Sequence, residues 1–330
     1  QKYMATLPEK IAESVRLANT NLAPVRVSAA RAEESSVSFN RRFLMKDGTY
    51  GWNPGKLNPN IVRPAGPIDP EVAVVYFDSP DGKPQVTHVN HALHVAVASG
   101  RKFTADYPGV LARLLGAVKG SDMLTVFSIG CAGNVNHIDV QSARPQGGPT
   151  EAARIGTILA ARVLQTYEKL EPVAADALQF RREIVRLPLP PIRPGDVDSA
   201  RSFAARAGTP DPPKFLEQVW AFQVLDVAAR EGRPMETEVQ VIALGDQLAW
   251  VGLPGEIFVE LGMALKRSSP FPYTVVAELS GGSIGYVPDW KAYSEGNYEP
   301  VSARVAPGSG EKLVETATRL LIDAYRPGRR

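Results

Sequence analysis

Three histidines stand three residues apart in THVNHALH, at His88, His91 and His94. A neutral imidazole is a common metal ligand, and also a hydrogen-bonded structural group. On a strand, His88 and His94 share one face and His91 lies on the other. The fourth histidine, His137, follows Asn136 and stands two residues before Asp139 in NVNHID. An imidazole near a carboxylate can serve as an acid–base group, or it can brace a loop. Glu256 directly follows Pro254-Gly255 in LPGEIFVEL, where a helix is expected to begin. The helix dipole favours a carboxylate there, and the same carboxylate is placed to bind a metal. Tyr286 lies in the glycine-rich GGSIGYVPDW, either as a packed aromatic or as part of a site. Cys131 is the single cysteine and reads as a small buried apolar group. It excludes an intrachain disulfide and any zinc site built from several cysteines.

The elements that must position these groups are legible from periodicity. Residues 71–78, EVAVVYFD, form an apolar run of the kind found in a buried strand. Asp81-Gly82 marks a turn, with QVTHVNHALH as the partner strand. Residues 123–129, MLTVFSI, read as a strand that ends in GCAGNVNHIDV, where Gly130 and Gly133 let the backbone turn. QFRREIVRLPL alternates like a strand with one exposed face, and TEVQVIALG pairs with QLAWVGL around Gly245-Asp246. YTVVAEL is a further strand, and short strands are expected at 25–30 and 36–39. Helices are expected at 8–22 (with Pro8 in the first turn), 108–118, 150–170, 214–230, 255–266 and over GEKLVETATRLLIDAY. Residues 40–70 read as loop. Residues 188–213 hold seven prolines and read as an ordered excursion. Short turns between strands argue for an α+β fold: a mixed, largely antiparallel central sheet covered by helices, not a doubly wound parallel sheet.

Composition narrows the function classes. The 330 residues are 44% hydrophobic and 22% charged, which suits a chain with a sizeable core. With 37 basic and 35 acidic residues there is no electrostatic footprint for nucleic acid. No apolar run is long enough to span a membrane. Rossmann and phosphate-loop motifs are missing from the sequence. The chain opens QKYMATLPEK without an initiator methionine, which is the pattern expected of a processed or truncated product.

Taken together, these segments resemble the neutral, non-lysosomal ceramidase family in its zinc-bearing catalytic domain, over nearly the whole chain. YMATLPEKIAESVRLANTNLAP resembles the helix that follows the family's first histidine motif. Asn40-Arg41 resembles its Asn-Arg loop. NHALH, residues 90–94, resembles Asn-x-Ala-x-His, with Asp106-Tyr107-Pro108-Gly109 as the following Asp-x-x-Gly. CAGNVNH resembles the segment of the catalytic serine, and LPGE the Pro-x-Glu of the glutamate ligand. GYVPDWKAYSEGNYE resembles the stretch with two site tyrosines twelve residues apart, here Tyr286 and Tyr298.

The resemblance implies zinc held by His94, Glu256 and Tyr286, with Arg41 and Tyr298 at the substrate carbonyl or its oxyanion. It implies hydrolysis of an amide (N-acyl) or ester bond of a small-molecule or lipid substrate, as in sphingolipid metabolism, and a secreted or periplasmic setting. Three departures qualify it. Asn136 stands where the family has its serine, so ceramide itself is in doubt, and His137 beside it becomes a further acid–base or ligand candidate. The family's upstream His-x-His would precede Gln1, so residues 1–330 read as one catalytic-type domain incomplete at its N-terminus. The family's C-terminal immunoglobulin-like domain is not represented. The alternatives are a non-catalytic binding protein on the same fold, or a fragment inactive without its upstream segment.

Overall fold

The computed structural model describes residues 2–175 and 177–325. Strand Glu71–Asp78 is buried along most of its length, as its apolar run requires. It pairs antiparallel with Arg26–Glu33 on one side and Pro84–His91 on the other. Pro84–His91 then pairs parallel with Leu124–Ile129, and Glu171–Val173 closes the opposite edge. The turn after Asp78 is tight, and Gly82 meets its need for a positive φ (88°). A second sheet follows the order Leu178–Leu187, Met235–Leu244, Leu248–Gly252, Tyr273–Ala277. Its last pair is parallel and the others antiparallel.

Period-two alternation sorts the side chains into layers. Val72, Val74 and Val89 of the first sheet pack on Leu111, Leu115, Ile155 and Leu159, which belong to helices Asp106–Lys119 and Gly148–Thr166. The intervening Ala73 and Val75, with Val27 and Ala29, meet Leu244, Leu248 and Val275 of the second sheet. The far face of that sheet, Val239, Val241 and Val251, packs on Leu261, Leu265, Leu313 and Leu321, carried by helices Val259–Ser268 and Ser309–Ala324. The expected mixed, largely antiparallel sheet with helices on it is therefore divided into two sheets stacked face to face between helical layers. Polar ties cross the stack. The Trp250 indole N–H donates to His88 Nδ1 at 3.1 Å, and the Asn90 amide donates to the Val276 carbonyl at 3.0 Å.

Four local expectations need correction. Residues 40–70 contain three short strands, Arg42–Met45, Tyr50–Trp52 and Ile61–Pro64, too short for any period to show among their glycines and prolines. Helix Asp196–Arg206 occupies the middle of the proline-rich stretch, where the sequence holds no proline between Pro194 and Pro210. The first helix spans Lys2–Thr20, so Pro8 lies inside it and not in its first turn. The helix after LPGE starts only at Val259, and Glu256 itself lies on a two-residue strand, Glu256–Ile257. Its carboxylate is therefore not a helix-dipole partner.

Candidate active site

The site forms where strands of both sheets run out, and two short ladders frame it. In the first, Phe39–Asn40 pairs antiparallel with Val135–Asn136, and Arg41 continues it by donating its backbone N–H to the Asn134 carbonyl at 2.9 Å. In the second, Glu256–Ile257 pairs parallel with Tyr286–Val287, which sets Glu256 directly opposite Tyr286. Tyr286 is thus on a strand and not within the glycine loop itself. Gly133 joins the ladders: its N–H donates to the Ile257 carbonyl at 2.8 Å. A Cβ at Gly133 would sit 2.5 Å from the Glu256 carbonyl oxygen, so only glycine permits this approach. Gly255, at φ 151°, is equally constrained, because its Cβ would lie 2.7 Å from the Gly285 carbonyl oxygen.

Strand Pro84–His91 ends before His94, so His94 projects from the following loop and shares no strand face with His88. The conformation of that loop is held from below. The Tyr107 hydroxyl donates to the Leu93 carbonyl at 2.7 Å, and Asp106 Oδ2 accepts the Val97 and Ala98 N–H groups at 2.9 and 2.7 Å. His94 Nδ1 lies 2.9 Å from the Val135 carbonyl, a partner that only accepts. Nδ1 therefore carries the hydrogen, and the Nε2 lone pair points into the site. There it faces Glu256 Oε2 at 3.1 Å. Two acceptors at that distance require a proton or a cation between them.

Tyr286 completes the group, with its ring 6.5 Å from that of His94 and nearly parallel to it. Burial alone would raise the Glu256 pKa, but the close approach of His94, the hydrogen bond from Tyr286 and the charge of Arg41 outweigh it and hold the carboxyl below its ordinary range. Burial and the Glu256 charge push the Tyr286 hydroxyl upward, against the opposing pull of Arg41. Among the described residues no three His, Cys, Asp or Glu side chains gather as a metal-ligand set; the third donor here is a phenol. The imidazole nitrogen and the carboxylate are donor types that a catalytic zinc takes, and the phenol of Tyr286 lies beside them.

The Arg41 guanidinium carbon lies 5.3 Å from the Tyr286 ring centroid and 5.9 Å from that of Tyr298. Tyr298 packs on Trp52 at 4.5 Å and on Phe215 at 5.5 Å, so an aromatic wall borders the site. The structure thus brings Arg41, His94, Glu256, Tyr286 and Tyr298 together. It does not bring in the other two candidates. The Asn136 amide donates to Asn53 Oδ1 at 2.9 Å and its oxygen accepts the Ile138 N–H at 2.9 Å, leaving it a structural bracket. His137 Nε2 meets the Gln146 carbonyl at 2.9 Å, and its ionised neighbours are Glu151, Asp106 and Arg154. His88 and His91 are structural too: His88 lies between Ser128 and Trp250, and His91 is fully buried against the Glu71 carbonyl.

Sequence reasoning missed two buried acids. Glu278 accepts the backbone N–H groups of Ala132 and Ile257 at 3.2 and 2.8 Å and so clamps both sides of the Gly133 crossing; burial holds its pKa well above the ordinary range. Glu299 is completely buried beside Arg41. Nothing in the sequence separates either acid from a surface glutamate, although Glu299 directly follows a tyrosine already singled out.

Solved ceramidase structures share the fold of this helix–sheet–sheet–helix stack. The neutral ceramidase from Pseudomonas aeruginosa superposes with a TM-score of 0.70 at 19% identity, covering 97% of this chain and 55% of that one. A ceramidase complexed with C2 gives 0.66 at 18% identity, covering 95% of this chain and 56% of that one. The chain spans about half the length of the solved structures it matches. No protein-family model and no curated protein sequence matches.

Proposed function

We propose that this chain carries the catalytic site of a zinc-dependent hydrolase acting on an N-acyl amide or ester. The observation that carries the reading is the convergence of His94 Nε2, the Glu256 carboxylate and Tyr286, with the His94 lone pair turned inward by the Val135 carbonyl. These three side chains would hold the metal, which when bound supplies an activated water and polarises the carbonyl. Arg41 and Tyr298 are placed to donate to the carbonyl oxygen as negative charge develops on it. The ladder across Gly133 keeps these groups in register before substrate arrives. The fold likeness to neutral ceramidases supports a lipid amide as substrate and an extracytoplasmic setting. No helix of the described residues is long and apolar enough to cross a membrane.

The test is turnover of a panel of N-acyl amides and p-nitrophenyl esters by the unchelated protein. Turnover abolished by Glu256→Ala and by chelation supports the reading. Turnover untouched by both would sink it.

One observation favours a second reading, a binding protein on the same fold. Asn136 occupies the serine position of the resemblance, and both ends of its amide are already committed. An amide so held offers no nucleophile. The second reading predicts that the panel gives no turnover above background while substrate analogues still bind.

A further inference from the structure

Glu299 is completely buried, yet both its oxygens are used. Oε1 accepts Arg41 Nε at 2.8 Å, and Oε2 accepts Arg42 NH1 at 2.9 Å. Arg42 is itself buried and is fixed by the Gly296 carbonyl at 3.0 Å and by Glu295 Oε2 at 3.2 Å. It therefore acts as a post to which Glu299 is tied. On its other side Arg41 donates NH2 to the Gly133 carbonyl at 2.7 Å, the same glycine that joins the two ladders. Two of the three guanidinium nitrogens are committed to the scaffold. The third, NH1, lies 3.5 Å from His94 Nε2. A planar guanidinium held at two nitrogens has its remaining N–H direction set.

The backbone beneath Glu299 is held as firmly. The short helix Tyr298–Ser302 is capped by the Asn297 side chain, which accepts the Tyr298 N–H at 2.8 Å and donates to the Tyr50 carbonyl at 2.7 Å. Tyr298 and the residue that steers Arg41 are thus neighbours on one element.

We infer that Glu299 is a positioning residue for Arg41: with Arg42 behind it, it aims Arg41 NH1 at the substrate oxygen. The inference rests on Arg41 acting in the proposed site. A carboxylate that merely balanced charge in the core would have a different signature, because its loss would add to the loss of Arg41.

Two measurements test the inference: the first asks whether Glu299 holds Arg41 in solution, and the second separates these cases. The first is the arginine Nε–H NMR spectrum of the full chain. The wild type is expected to show a slowly exchanging Arg41 Nε–H, assigned by its disappearance in Arg41→Lys. In Glu299→Gln, and again in Glu299→Ala if that variant melts cooperatively, this signal should shift and exchange fast. A signal unchanged in Glu299→Gln overturns the inference. The second is kcat/KM on p-nitrophenyl acetate. Glu299→Gln should lower it about 10–100-fold, the usual range for a residue that orients a site group, chiefly in kcat, with Glu299→Asp recovering part of the loss. In an Arg41→Ala background Glu299→Gln should cost nothing more. Additive losses also overturn the inference. If the wild type shows no turnover, the hydrolase reading fails and the positioning role of Glu299 in that site falls with it, whereas turnover with additive losses overturns the inference alone.

Discussion

At the scale of single residues, the site depends on directions set by backbone carbonyls. The Val135 carbonyl chooses the His94 tautomer, and the Gly133 carbonyl holds one side of Arg41. Such partners explain why a lysine cannot replace Arg41. An ammonium cannot reach Glu299, Gly133 and the site together, since it lacks the rigid fork. Arg41→Lys is expected to lower kcat/KM by about 10²–10³, the range for loss of one oxyanion donor, with an unchanged circular dichroism spectrum. Retained activity would mean that Arg41 only packs against the aromatic wall. This scale was partly legible in the sequence. Arg41, His94, Glu256, Tyr286 and Tyr298 were singled out and are found together. Asn136 and His137 were singled out and are tied to Asn53 and Gln146 instead. Residue type showed that they were polar, but not which way their side chains turn, since that is decided by loop partners remote from the strand.

Elements repeat the contrast. The run EVAVVYFD and the alternation in QFRREIVRLPL announce strands because each pattern is sustained over eight to ten residues. The two ladders that frame the site have strands of two residues each, too short for any period. Their existence depends on glycines, and Gly133 is the most exacting of them. Gly133→Ala is expected to force the ladders apart at the Glu256 carbonyl, costing about 1–3 kcal/mol of stability as over-packing does. It should also weaken zinc binding, because Glu256 moves with Ile257. Urea denaturation and a zinc titration read the two effects separately. A variant of unchanged stability and metal affinity would show that the crossing is looser than the structure has it.

Over the whole molecule, the division into two stacked sheets could not be read from sequence, because it is set by long-range register. Both sheets are apolar on one face or both, and nothing local says which face meets which. The tie between His88 and Trp250 makes this stacking pH-sensitive. Burial lowers the His88 pKa from the ordinary 6.5 to about 4, so between those values the unfolded chain binds a proton that the folded chain does not. Stability from this group is complete above pH 6.5 and is lost as pH falls towards 4. His88→Gln should flatten the pH dependence of the melting temperature in that window; an identical slope in the variant would assign the effect elsewhere. A second consequence concerns the rim of the first sheet. Strand Leu124–Ile129 lies at its edge with Leu124 65% and Val126 49% exposed. An open apolar edge favours edge-to-edge pairing. Val126→Lys should reduce concentration-dependent association in analytical ultracentrifugation, and equal association in both proteins would place the contact on another surface.

The metal is the claim on which the functional account turns. Its most direct test is the zinc content of the purified, unchelated protein by elemental analysis, set beside His94→Ala and Glu256→Ala. About one zinc per chain is expected in the wild type, as a three-donor catalytic site holds, with the metal lost in both variants while each still folds. A wild type without zinc, or zinc retained in full by both variants, would contradict it.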